Sequence, residues 1–157
     1  MIIKKWDLRF LEMARNAAGW SKDPSTKVGS IIVDDDKRVI SVGYNGFPKG
    51  VNDDERLDNR EEKYKVIVHA ERNALLFANK NVEGCHIYTY PFMPCSVCAG
   101  MIIQSGIKRV VTVRNKNSRW QQDFEVSRGL LHESGIVLIE YDRDVIPSDE
   151  SLIFDFE

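Results

Sequence analysis

Two short motifs constrain this chain more than anything else in it: His69-Ala70-Glu71 and, further on, Pro94-Cys95-Ser96-Val97-Cys98. The segments 68–79 (VHAERNALLFAN) and 96–106 (SVCAGMIIQSG) have the apolar spacing of helices, and HIYTY at 86–90 lies between them as a strand. Each motif therefore opens a helix that follows extended chain. At a helix start, free N–H groups and the positive end of the helix dipole favour thiolate over thiol, which suits Cys95 and Cys98 to a metal. One imidazole from His69 and two thiolates make three protein ligands. Zinc held by three ligands keeps a fourth tetrahedral position for water, the arrangement of a catalytic site. Glu71, two residues past the imidazole, is placed to take a proton from that water and is the general acid/base candidate.

The other cysteine, Cys85, fits a buried free thiol at a strand start, because three cysteines are too few and odd in number for a disulfide framework. His86 and His132 read as structural or surface residues. Residues 5–20 carry Trp6, Phe10, Met13, Ala14 and Ala17 at three- and four-residue steps, the stripe of an amphipathic helix ending near Gly19. VGSIIV (28–33) and RVISVGY (38–44) flank the polar turn Asp34-Asp35-Asp36-Lys37 as a β-hairpin. The loop from Gly43 to Gly50 (GYNGFPKG) holds three glycines and a proline, a shaped backbone with N–H groups free to meet a ligand. From Asp53 to Lys63, nine of eleven residues are charged with signs mixed, and such a tract reads as a solvated helix or loop. KRVVTV (108–113) and GIVLIEY (135–141) are strands with a helix near 121–133 between them. Strands interleaved with helices predict an α/β fold, a three-layer α-β-α sandwich, in one domain spanning 1–157. The apolar tail 152–157 is expected to dock on this subunit or a neighbour.

Charge excludes some partners. Lys and Arg number 22 against 24 Asp and Glu, a net charge of −2, so no positive field is available to hold a long nucleic acid. No apolar run approaches a membrane span, and MIIKKWDLRF turns charged at once instead of building a signal-peptide core, so the chain is expected to be cytoplasmic.

The combination His-x-Glu with Pro-Cys-x-x-Cys is the signature of zinc-dependent nucleobase deaminases. Asp23-Pro24-Ser25-Thr26-Lys27-Val28-Gly29, Gly43-Tyr44-Asn45-Gly46-x-Pro48-x-Gly50 and Ile102-Ile103-Gln104-Ser105-Gly106-Ile107-Lys108 accompany it. With these, residues 20 to 140 resemble the deoxycytidylate (dCMP) deaminases of the cytidine deaminase superfamily. The resemblance implies a cytidine deaminase-like fold with a five-stranded mixed sheet, commonly a homohexamer, and hydrolysis of dCMP to dUMP and ammonia in supply of thymidylate synthesis. It implies one catalytic Zn²⁺ on His69, Cys95 and Cys98, proton shuttling by Glu71, the backbone N–H of Ala70 on the pyrimidine O2, and Asn45 on the sugar hydroxyl. The Gly43–Gly50 loop (Gly43, Tyr44, Asn45, Gly46, Pro48, Gly50), with Phe77 and Lys80 from the next helix, is implied to bind dCTP as activator and dTTP as inhibitor between subunits, with Mg²⁺ accompanying the triphosphate. The family usually has a tyrosine after its fourth strand to stack on the base; RNKNSRW has none, and Trp120 is the nearest aromatic. Lys27, with Ser25 beside it, is a candidate for the substrate phosphate.

Two rival readings share the motifs. A tRNA adenosine or polynucleotide deaminase needs basic surface that the charge balance does not supply. A non-catalytic module in which zinc only staples the fold needs a fourth protein ligand, for which His86 and His132 offer little.

Overall fold

The computed structural model describes residues 1–116 and 118–147. The tail 152–157 therefore lies outside the described residues. Five strands, β1 (Gly29–Val33), β2 (Val39–Tyr44), β3 (His86–Tyr90), β4 (Arg109–Val113) and β5 (Val137–Tyr141), form one sheet in the order β2-β1-β3-β4-β5. β1 pairs antiparallel with both β2 and β3, whereas β3, β4 and β5 run parallel. The sheet is thus mixed and five-stranded, as expected.

Alternation along the strands divides the core in two. Ile31, Val33, Tyr88, Val111 and Tyr141 point to one face, where they meet Phe10, Leu11 and Ala14 of helix α1 (Lys5–Ala18). Ile32, Ile87 and Val110 point to the other, against α3 (Ala70–Phe77), α4 (Ser96–Gln104) and α5 (Gln121–Glu133). Helices cover both faces, which completes the three-layer sandwich. No helix among the described residues is long and apolar enough to cross a membrane.

Parallel strands need helical crossovers, and the crossovers aim the site. α3 runs into the start of β3, so its first turn lies at the far end of that strand. α4 leaves β3 at this same end. Two helix N-termini consequently meet above the carboxyl end of β3, one bearing His69 and the other the cysteines.

Two glycines set how closely helices approach the sheet. A Cβ at Gly29 would lie 1.9 Å from the Ala14 carbonyl oxygen of α1, and one at Gly43 would lie 2.3 Å from the Ala70 carbonyl oxygen and 2.4 Å from the Ala74 nitrogen of α3. Gly43 is therefore a buried residue of β2 beneath α3. Of the two expectations that meet at Gly43, the strand 38–44 and the loop 43–50, the structure shows the strand.

The charged tract 53–63 also departs from expectation. Its second half forms α2 (Arg60–Val66), started by the Asn59 side chain, which accepts hydrogen bonds from the Glu61 and Glu62 N–H groups. Lys63 on this helix is buried, only 3% exposed, and pairs at 2.9 Å with the equally buried Asp23. Solvation describes most of the tract and fails at the one lysine whose partner comes from a distant loop.

On the α1 face, the buried Asp7 carboxylate accepts hydrogen bonds from Arg109 (2.9 and 2.7 Å), Tyr88 (2.9 Å) and Tyr141 (2.7 Å), tying the helix to three strands. Burial raises its pKa, but the bonds from Arg109, Tyr141 and Tyr88 outweigh burial and hold it below the ordinary value. A depressed carboxylate contributes stability that is complete above its unfolded pKa and is lost as pH falls through the folded one. Asp7→Asn is expected to cost about 3 kcal/mol at neutral pH, because Arg109 loses its counter-ion, and to flatten the acid limb of stability measured by urea unfolding below pH ~4. Gly43→Ala is expected to cost about 1–3 kcal/mol in the same assay, as α3 is forced off β2.

Candidate active site

His69 is the N-cap of α3, in extended conformation, and Cys95 is the N-cap of α4. The helices thus begin one residue after each ligand, and Cys98 lies in the first turn of α4. His69 Nδ1 stands 3.5 Å from Cys95 Sγ and 3.4 Å from Cys98 Sγ, and all three ligand atoms lie within 4.8 Å of one another. Zinc bonds of ~2.3 Å to sulfur and ~2.0–2.1 Å to nitrogen at the tetrahedral angle put N and S about 3.6 Å apart, so the observed spacing accommodates that ion. Among the described residues no fourth His, Cys, Asp or Glu joins this group.

Protonation agrees with that fit. The hydrogen bond from Cys98 is the largest influence on Cys95 and, with the bond to His69, lowers its pKa to about 4; the same bond raises that of Cys98, and burial raises it further. The direction at Cys95 is toward thiolate, the form in which cysteine binds a metal. Burial works against the charge of Arg72, one turn along α3, but the neighbouring Cys98 and Cys95 thiols outweigh it and hold its pKa above the ordinary value. The spacing of the motifs gave no hint of this residue.

The loop carrying the cysteines is held from several sides. Asp123 of α5 accepts hydrogen bonds from the Ser96 N–H at 2.9 Å and the Ser96 hydroxyl at 2.6 Å, capping α4. Ser127 donates to the Pro94 carbonyl at 2.8 Å, and Thr89 to that of Phe92 at 2.6 Å.

His69, Ala70, Glu71 and Cys95 together face a cavity. Glu71 is 3% exposed, and burial pushes its pKa up, the direction that suits a group accepting and returning protons near neutral pH. Ala70 lines the cavity too, and its N–H lies in the first turn of α3, where helix geometry supplies no partner. Ile67, Tyr64, Phe92, Met93, Trp120 and Phe124 make the wall mostly apolar and aromatic, while Asp23, Thr26 and Asn45 supply polar atoms. Trp120, the aromatic candidate of the sequence, is thus one lining residue of this cavity. Tyr64, just past the charged tract, is another, and nothing in the sequence singled it out.

Asn45 lines the cavity, but its amide already serves the backbone: Oδ1 accepts from Val28 N–H at 2.8 Å and Nδ2 donates to the Thr26 carbonyl at 2.7 Å. Ser25 and Lys27 do not line it. The Ser25 hydroxyl donates to Asp23 and accepts from Lys63, and the Lys27 ammonium donates to the Ser21 carbonyl, so both candidates for the substrate phosphate are engaged in fixing the 21–27 loop. On the other side of α3, Lys49 sits 4.7 Å from the ring centroid of the half-exposed Phe77, and Asn73 donates to the Tyr44 carbonyl at 2.7 Å. Gly46 pairs with Val68, and Gly50 has a left-handed φ of 79° that closes the turn begun at Pro48. Lys80 is exposed beyond the end of α3. Away from the cavity, His86 pairs with Asp35 at 2.8 Å, and Cys85 is buried.

Residues 4–114 match the family described as the cytidine and deoxycytidylate deaminase zinc-binding region. An uncharacterized deaminase from the luxG 3′ region of Aliivibrio fischeri is 42% identical over 148 residues, spanning 92% of this chain and 99% of that one. Human deoxycytidylate deaminase is 34% identical over 160 residues, with 98% and 86% of the two chains covered. Among solved structures, the dCMP deaminase of cyanophage S-TIM5 in complex with dCMP and dUMP superposes with a TM-score of 0.70 at 23% identity, over 89% of this chain and 99% of that one. The chain belongs to the cytidine and deoxycytidylate deaminase family. It is a zinc-dependent deaminase, and His69, Cys95 and Cys98 are the residues whose geometry accommodates the ion.

Metal analysis tests the ligand set. Cys95→Ser and Cys98→Ser are each expected to purify with little zinc, whereas Glu71→Gln retains a full equivalent. Full occupancy in both serine variants would remove the cysteines as ligands.

Proposed function

We propose that the chain hydrolyses dCMP to dUMP and ammonia. The observation that carries this reading is that the buried Glu71, Ala70 and two of the three clustered ligand residues, His69 and Cys95, line one cavity together with aromatic rings. The similarity to deoxycytidylate deaminases along nearly the whole chain supports the choice of nucleotide.

Zinc bound at His69, Cys95 and Cys98 supplies Lewis acidity that makes hydroxide available near neutral pH. Glu71 accepts a proton from the attacking water and delivers it to N3 of the cytosine, which makes C4 electrophilic. After addition at C4, the same carboxylate takes the proton of the added hydroxyl and passes it to the departing amine, so the C4–N bond breaks, ammonia leaves and a carbonyl remains. The Ala70 N–H donates to the pyrimidine O2 and fixes the ring against the wall formed by Trp120. Asn45 presents its edge to the sugar while holding the two loops together.

Regulation is part of the proposal. The Tyr44–Gly50 loop, with Phe77 and Lys80, takes dCTP as activator and dTTP as inhibitor, with Mg²⁺ on the triphosphate, at a boundary between subunits of a hexamer. The Lys49–Phe77 contact and the Asn73–Tyr44 bond support it, since both fasten this loop to the helix that carries Glu71.

Glu71→Gln is expected to lower kcat by about 10²-fold or more. kcat/KM for dCMP is expected to exceed that for deoxycytidine widely in an ammonia-release assay; equality would move the chain toward the free-nucleoside deaminases. In dCMP saturation curves, dCTP and dTTP are expected to shift apparent substrate affinity by ~5-fold or more in opposite directions. Hyperbolic curves insensitive to both would end the regulatory part alone.

A further inference from the structure

The buried pair formed by Lys63 and Asp23 joins two walls of the cavity that are otherwise separate pieces of chain. Lys63 Nζ donates to Asp23 Oδ1 at 2.9 Å and to the Ser25 hydroxyl at 2.8 Å. Asp23 also accepts from the N–H groups of Ser25 (2.9 Å) and Thr26 (3.1 Å), so its carboxylate organises the 23–26 turn. That turn brings Asp23 and Thr26 to the cavity, and α2 brings Tyr64 and Ile67. The two charges are 3% and 2% exposed. A salt bridge this deeply buried gives little net stability, because desolvation offsets the attraction, whereas breaking it leaves an unpaired charge in the interior. Its effect is geometric: α2 has one low-energy position relative to the 23–26 turn.

The next residue on α2 is Tyr64. Its ring meets Trp120 edge to face, with centroids 5.8 Å apart and planes at 61°, and both rings line the cavity. Trp120 comes from the segment after β4, so the contact crosses the mouth between two unrelated segments. Tyr64 is 42% exposed, and packing on the core does not by itself hold its ring there.

We infer that Lys63 is a positioning residue that, through its buried bonds to Asp23 and Ser25, fixes Tyr64 against Trp120 as an aromatic rim receiving the flat ring of the substrate. The inference rests on the deaminase reading for the identity of that ring. Its geometric content, that Lys63 controls the packing of Trp120 through Tyr64, stands apart from any turnover.

Trp6, Trp20 and Trp120 are the chain's three tryptophans, so Trp6→Phe with Trp20→Phe leaves Trp120 as the sole fluorescent indole. In that background Lys63→Met is expected to raise acrylamide quenching of Trp120 about twofold and the KM for dCMP about five- to tenfold, the scale of an edge-to-face contact, with kcat within about threefold. Tyr64→Ala should do the same, and Tyr64→Phe, which keeps the ring, should recover most of the lost KM. If Lys63→Met fails to fold, Asp23→Asn with Lys63→Met leaves neither charge buried and is expected to show the same two changes. Unchanged quenching and KM in Tyr64→Ala and in the folded Lys63 variant would overturn the inference, as would a fall in kcat at constant KM. If the parent protein does not turn over dCMP, the proposed function fails, while the quenching contrast still decides the role of Lys63.

Discussion

Two helices must start within a few ångströms of each other, with their free N–H groups facing one point, and the sheet exists in a form that allows this. Helix α3 runs into β3 and α4 runs out of it, so both N-termini fall at one end of a central strand. There the helix dipoles favour thiolate at Cys95, and the chain gains three ligand atoms at zinc spacing from two N-caps, His69 and Cys95, and one first-turn residue, Cys98. Side chains elsewhere reinforce the convergence. Asp123 caps α4 from α5, and Ser127 holds Pro94, so a helix that contributes no ligand governs where the ligands stand.

The cavity separates reaction from recognition. His69, Ala70, Glu71 and Cys95 belong to the two convergent helix starts, whereas the ring-shaped walls come from α2, from the cysteine loop and from the segment around Trp120. These outer pieces are joined by side-chain contacts instead of by the sheet. The Lys63–Asp23 pair and the Tyr64–Trp120 contact are the clearest of them.

The sequence made His69, Glu71, Cys95 and Cys98 legible as a group because each sits at a helix boundary that local rules announce. Strand positions were legible too, since alternation on a half-buried sheet leaves its period in the sequence; β3 spans His86–Tyr90 as read. Lys63 was not legible. Its environment is created by Asp23, which lies far away in the chain, and a lysine among many charges carries no local mark of burial. Gly43 illustrates another difficulty: the sequence reads it both as the end of a strand and as the start of a loop, and does not show that its missing side chain makes room for a helix. Ser25 and Lys27 matched a motif, but composition cannot tell a cation that meets a ligand from one that braces its own loop.

The contact at Gly43 has a consequence for how such a protein can change. Main-chain atoms of β2 and α3 meet there without clearance, so the height of Glu71 above the sheet is set by backbone against backbone and is insensitive to which side chains fill the core. The rings around the slot have no such stop. Substitutions at Tyr64, Phe92 or Trp120 can therefore recut the opening for a ring of another outline while the proton-transfer geometry stays registered to the sheet. A scaffold of this kind diversifies in what it accepts long before it alters what it does to it.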